Sequence, residues 1–298
     1  MAIRVPRASL PYLFLLPAAL VLALTVFYPA AQALYLSFTT YGYDLTAAPT
    51  WVGLKNFQRL LQDAVFWQTF RNTLVYLVVV VPILVMVPFA IAILVNQKLR
   101  GIRWFRAAYY VPVVISMVVA GIAWQWLYVE NGLLNQFLRG LGWSATGIPW
   151  LTSPKLALFS VMVVTIWKGI GYYMVIYLAG LQAIPADLYE AAAIDGSDGW
   201  QRHWDITLPL MRPYLFLVAV IAAISATKVF EEIYVMTRGG PLNSSKTIVY
   251  YVYEQAFDPQ NFDVSYGCTV GLVMFLIIVA LSGLRLALTQ GQPKALGS

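Results

Sequence analysis

The sequence predicts an all-α polytopic membrane protein with six transmembrane helices, and three observations predict it. Sixty per cent of the 298 residues are hydrophobic and only 11% are charged, against about 45–50% and about 25% in a soluble domain. A compact domain of this length still needs a wetted polar surface, so that much apolar sequence cannot all be core. The charges are also bunched, leaving charge-free runs at 8–43, 72–97, 107–129, 156–167, 169–186, 213–227 and 264–284. Most of these have the length of a helical crossing, about 20 residues for about 30 Å of hydrocarbon, and none alternates as a barrel strand would. A soluble enzyme, a disordered chain and a nucleic-acid-binding domain are excluded together.

The first span, about 10–38, follows Arg4 and Arg7. It is too long for the 7–15-residue core of a signal peptide and reads as a retained anchor. A stretch from Asn56-Phe57 to Phe66-Trp67 has amphipathic helical spacing. It suits either a helix lying at the outer interface or one capping the bundle. The second and third spans cover about 72–96 and 107–129. Between them Lys98, Arg100, Arg103 and Arg106 stand with no acid, which places this loop in the cytoplasm and both termini inside. The wider balance, ten Lys and Arg inside against eight outside, leans the same way only weakly. Tyr41, Tyr43, Trp124, Trp126 and Tyr128 crowd the span ends as an interfacial belt.

The fourth span, about 156–184, carries Lys168 at its middle. The fifth has only 15 charge-free residues, roughly 22 Å of helix. It crosses only by continuing through Lys228, Glu231 and Glu232 to Met236, so it is expected over 213–236, with a sixth over 264–286. No repeat and no low-complexity linker divides the chain, which reads as one membrane domain over 1–298. Cys268 and His203, each the sole residue of its type, leave no disulfide and no Cys- or His-rich metal site.

The loop at 185–212 is the most specific feature. Pro185 suits the first helical position and Asp187 the first turn, facing the positive end of the helix dipole. Glu190, Ala191, Ala192, Ala193, Ile194 and Asp195 then present a narrow, small-residue surface flanked by acids, and Gly196 stops the helix. The loop carries five acids and two bases, against the usual cytoplasmic composition. That acidity points to a basic partner surface; a solvated hairpin joining two spans fits the composition equally well.

Glu190-Ala191-Ala192, then Gly196, then Ile206, Leu208 and Pro209 make seven fixed positions over twenty residues. This pattern resembles the EAA loop of binding-protein-dependent ABC-importer permeases. Tyr35-Leu36-Ser37-Phe38, Val52 to Phe57, Asn72-Thr73-Leu74 and Gly239-Gly240-Pro241 are similar to segments of the carbohydrate type. The likeness is strongest to the first permease subunit of maltose, lactose and glycerol-3-phosphate systems. It implies a type I ABC-importer permease fold in a bacterial or archaeal inner membrane. It further implies four kinds of partner: a second similar permease, two cytoplasmic ATPase subunits, an external solute-binding protein, and a sugar or polyol cargo. Glu190, Ala191, Ala192, Asp195, Gly196, Ile206, Leu208 and Pro209 would dock on the ATPase. ATP and magnesium would belong to that partner. In keeping with this, the chain has no G-x-x-x-x-G-K-[ST] phosphate loop, and it is expected to bind no cofactor and to catalyse nothing.

Ionisable groups inside a span are functional candidates by default. Thr165, Lys168, Gly169 and Tyr172 share one helical face by spacing, and Ser225, Lys228, Val229 and Glu232 share another on span five by the same rule. Hydroxyls, an aromatic ring and charges suit a sugar, and the resemblance implies a cavity lined by these two spans. Equally open is an interhelical ion pair of Lys168 with Glu231 or Glu232, or a lysine that merely snorkels. Two competitors remain: a polyol-phosphate importer with Lys168 and Lys228 on the phosphate, and an ion-coupled carrier working alone.

Overall fold

The computed structural model describes residues 10–41, 48–97, 99–143 and 147–289. Arg4, Arg7, Tyr43 and Lys98 lie outside the described residues. In chain order, α1 (Leu10–Leu22) passes through a π-helical turn into α2 (Tyr28–Leu36), followed by the short strands β1 (Thr39–Thr40) and β2 (Thr50–Trp51). Then come α3 (Lys55–Gln62), α4 (Ala64–Val95), α5 (Ile102–Val114), α6 (Met117–Tyr128), α7 (Leu133–Gly140) and α8 (Ala157–Gln182). The chain ends with α9 (Ala186–Ile194), α10 (Leu208–Thr227), α11 (Glu231–Met236), α12 (Ile248–Phe257) and α13 (Val264–Thr289). Among the described residues, four helices are long and apolar enough to cross a membrane: Phe14–Leu36, Ala64–Val95, Ala157–Gln182 and His203–Thr227. A bent pair, Ile102–Val114 with Met117–Gly140, qualifies only when taken together, and α13 holds the shorter apolar stretch Val264–Val279. Pro82 and Pro88 sit inside α4, as membrane helices tolerate when neighbours satisfy the freed carbonyls.

Two stretches read as continuous spans are interrupted. The segment 107–129 turns by 99° where α5 gives way to α6. Ile115 leaves α5 in an extended conformation, and Ser116 caps α6 by accepting from the Val119 N–H. Likewise α10 stops at Thr227, Lys228 caps it, and the chain re-enters a helix only at Glu231.

The chain forms two compact units, one of residues up to Phe66 with those from Tyr251 onward, the other Trp67–Tyr250. In the first, the antiparallel β1–β2 pair sets Thr39 opposite Trp51. Asn56 donates to the Ser37 and Thr39 carbonyls at 3.1 and 2.8 Å, and Thr269 of α13 donates to the same Ser37 carbonyl at 3.0 Å. The amphipathic stretch that began at Asn56 breaks at Asp63. Its first part, α3, buries Leu60 and is tied to the start of α13 by an Arg59–Asp263 ion pair of 2.7 Å.

Asp63 is the knot of this unit. One carboxylate oxygen accepts the Val65 and Phe66 N–H groups at 2.8 and 3.2 Å, capping α4. The other accepts the Tyr251 and Tyr266 hydroxyls, both at 2.5 Å. Burial works against the charge, but these four donors outweigh it and hold the carboxyl below its ordinary range. Because the folded value is depressed, the stabilisation is complete above the unfolded aspartate value of about 4. It drains away as pH falls from there through the lower folded value. We expect Asp63→Asn to cost about 1–3 kcal/mol at neutral pH, since one of its donors then meets an NH₂ group. Thermal unfolding of the purified protein at pH 7 checks this; an unchanged midpoint would reduce the knot to a decoration.

The second unit holds the main apolar core, with Tyr76, Val80 and Leu84 of α4 against Val161, Val164 and Tyr177 of α8 and Val218 and Ala222 of α10. Helices α5 and α8 approach until a Cβ at Gly171 would stand 2.1 Å from the Tyr109 carbonyl oxygen. No residue but glycine fits that crossing.

Candidate functional site

The eight mid-bundle residues singled out by spacing separate into three groups. On α8, Thr165 donates to a Glu232 carboxylate oxygen at 3.0 Å, and the Tyr76 hydroxyl lies 2.5 Å from the same Thr165 oxygen. These three form one chain of hydroxyls ending on a carboxylate. Glu232 is buried, at 8% exposure, so its acceptor capacity is met by the protein rather than by water.

Lys168 does something else. Its ammonium group donates to the carbonyls of Pro112 at 3.3 Å and Val113 at 3.1 Å, and also to that of Ile115. These belong to the last turn and cap of α5, whose carbonyls have no onward helical partner. A cation there also meets the negative end of the helix dipole. The ion pair with Glu231 or Glu232 is not formed; three peptide oxygens take the donors instead. The break between α5 and α6 leaves these carbonyls without an onward helical partner, and Lys168 satisfies them.

The rest divide by access. Tyr172 and Lys228 are exposed, as is Ser225, whereas Val229 is buried in the core. Gly169 lies against Leu84, where a Cβ would come within 2.8 Å of Cδ2. Since α10 ends at Thr227, Ser225, Lys228, Val229 and Glu232 do not share one helical face as a continuous span would have them. Tyr76, isolated by nothing in the local sequence, enters through its hydroxyl. Gln125 enters too, donating to the Val235 and Met236 carbonyls at 2.8 and 3.1 Å and so fixing α6 to the end of α11.

The hairpin at 185–212 is built to be rigid. Pro185 stands just before α9 rather than within it, and Asp187 falls in the first turn. At the other end Gly196 adopts φ +85°. Its N–H reaches the Ala193 carbonyl at 3.3 Å, and the Ser197 N–H reaches that of Ala192 at 2.8 Å. This is the paired closure that a glycine after the cap makes possible. Ser197 then donates to Asp205 at 2.6 Å, stapling the turn to the following segment. Tyr189 and His203 both meet the buried Thr207 hydroxyl, at 3.0 and 3.1 Å.

On this frame only Ala192 of α9 is buried. Glu190, Ala191, Asp195, Gly196 and Pro209 are exposed, and Ile206 and Leu208 half-buried. Glu190 borders a cleft of about 440 Å³ with Tyr189, Arg202 and His203, yet pairs with no cation among the described residues. Ile194, Trp200 and Trp204 are 87%, 64% and 60% exposed, large apolar surfaces beside an unpaired acid.

A polytopic helical bundle carrying such a hairpin between two of its crossing helices defines a transport permease. The fold agrees with a solved bacterial ABC transporter involved in the import of the acidic polysaccharide alginate, with TM-score 0.82 at 23% identity over 97% of each chain. The lactose transport system permease LacF of Rhizobium radiobacter is 34% identical, covering 92% of both chains. The trehalose/maltose permease MalF of Thermococcus litoralis is 32% identical over 93% of this chain and 92% of its own. Residues 65–291 match the binding-protein-dependent transport system inner membrane component, and the chain belongs to that family. It is a multi-pass membrane permease subunit with the type I ABC-importer permease fold.

Proposed function

We propose that the chain conducts a sugar or polyol inward as one permease of an ATP-driven importer. In this reading it pairs with a second similar permease, receives cargo from an external solute-binding protein, and docks α9 on one of two cytoplasmic ATPase subunits. ATP and magnesium are held by those subunits, and the 98–106 and 185–212 loops and both termini face the cytoplasm. The observation that carries the reading is the stapled α9 hairpin, which combines an unpaired Glu190 with exposed Ile194, Trp200 and Trp204. A loop that merely joined two spans would need neither its rigidity nor its apolar surface. The sugar relatives LacF and MalF support the cargo class.

Within the bundle we assign cargo contact to Tyr172, Ser225 and Lys228, with the Tyr76–Thr165–Glu232 chain behind them; Gly169 and Val229 shape the packing. Lys168 spends its donors on α5 and is poorly placed to serve a phosphate, which weakens the polyol-phosphate alternative. The test is reconstitution of the chain with its partner permease and ATPase in liposomes. ATP is enclosed, the binding protein is outside, and labelled sugars and glycerol phosphate compete for uptake. Uptake that needs both ATP and the binding protein is expected. Accumulation by the chain alone in a proton or sodium gradient would make it a secondary carrier.

A further inference from the structure

At the opposite end of α4 and α8 from the α9 cleft lies a second cleft, about 810 Å³, which no step above uses. The α9 cleft is bordered by Ile93, Asn96 and Leu181, near the C-terminal ends of these helices. The second is bordered by Trp67, Gln68, Arg71 and Asn72 at the start of α4, Lys155 and Phe159 at the start of α8, and Ser244. With α8 about 39 Å long, the two clefts stand on opposite faces of the bilayer. If α9 is cytoplasmic, the second cleft is external.

Its chemistry is specific. Arg71 and Lys155 are exposed cations that form no ion pair among the described residues, and no acid lines the cleft. Trp67 and Phe159 are each about half exposed, at 48% and 47%, and offer apolar platforms for a sugar ring. The Gln68 amide donates to the Leu242 carbonyl at 3.0 Å. The Asn72 amide donates to the Asn243 and Lys246 carbonyls, both at 2.9 Å. Asn72 thus spends both donors, and Gln68 one of its two, in holding the 242–246 loop, and their side-chain oxygens remain as acceptors for hydroxyls. The Ser244 hydroxyl is buried without any partner, a state that native structures rarely leave unused.

We propose that this cleft is an entry site for a carbohydrate bearing a carboxylate, held by Arg71 and Lys155, with its ring on Trp67 or Phe159. A neutral sugar would use the rings and amides but leave both cations without a counter-charge. A charge-assisted contact that it cannot make is worth about tenfold in affinity. A phosphatidylglycerol headgroup shares the anionic and hydroxyl chemistry but has no ring to lay on the aromatic faces. The inference rests on the reading of the chain as a sugar permease.

The experiment uses the complete transporter in phosphatidylcholine nanodiscs without ATP or binding protein. The probes are digalacturonate and its neutral counterpart, digalactose. Digalacturonate is expected to bind saturably, about tenfold tighter than digalactose, and more weakly as salt rises. Arg71→Gln and Lys155→Gln should each weaken it about tenfold, while Arg139→Gln, outside the cleft, should not. Equal affinity for the two sugars, or indifference to both cleft variants, overturns the proposal. So does loss of digalacturonate binding in discs rich in phosphatidylglycerol, which would assign the cations to lipid phosphates. Should the complex still import a neutral sugar with ATP while failing these tests, the entry site falls and the permease reading stands. Absence of any ATP-driven sugar uptake removes the permease reading itself.

Discussion

Replacing Lys168 by Met is expected to abolish most uptake and to loosen the bundle at one place. The ammonium donates to three carbonyls around the end of α5. In hydrocarbon no water replaces them, so the loss is on the order of 3 kcal/mol, the cost of orphaned acceptors that had a charged donor. It should show as a lower unfolding temperature even without substrate. Lys168→Arg keeps the charge and should retain part of both properties. Glu232→Gln should not rescue Lys168→Met, because Glu232 takes its hydrogen bond from Thr165 instead. A variant with parental stability and only a raised KM would show that Lys168 serves the substrate and not the helix break.

That lysine shows where reading from sequence reached its limit. Its position at mid-span marked it as a residue that needs a partner. The list of partners drawn from side chains held only Glu231 and Glu232. Backbone carbonyls are everywhere in a sequence and become acceptors only where a helix breaks. The break at Ile115-Ser116 lies inside a charge-free run whose one glycine, Gly121, stands five residues beyond it, and Pro112 alone does not stop a membrane helix. Span five was legible as too short, yet extending it through Lys228 assumed one axis where the chain uses two helices. Periodicity beyond Thr227 then assigned faces that do not exist. Tyr76 was invisible for the same reason: its hydroxyl meets Thr165 across 89 positions of chain. The start and glycine stop of α9 were legible because their determinants are local, whereas the return was not: His203–Thr227 runs on as one helix through Pro209 rather than starting at 213. A helix start at Pro185, a glycine stop and a fixed spacing to Pro209 need no tertiary partner to be recognised.

The proposed coupling role makes the sharpest demand on Glu190 and Gly196. Gly196 holds φ +85°, and nothing stands within 4 Å of where a Cβ would be. A side chain there meets no clash, so its whole cost is backbone strain of about 1–2 kcal/mol. That separates Gly196→Asn, which tolerates the left-handed region, from Gly196→Val, which does not. The valine variant should open the closure onto Ala192 and Ala193 and swing the turn that Ser197 staples to Asp205. Glu190→Lys leaves the fold alone, since the carboxylate has no cation partner among the described residues. Instead it sets like charge against a basic ATPase surface, where partial burial magnifies the penalty. Purified with their partners, Glu190→Lys and Gly196→Val should lose tenfold or more of substrate-stimulated ATP hydrolysis or of ATPase capture, about 1.4 kcal/mol per tenfold. Gly196→Asn should stay near the parent, and all three should insert and fold. If Glu190→Lys and Gly196→Val match the parent in both assays, α9 is a linker, and its exposed Ile194 and Trp200 must serve some other contact.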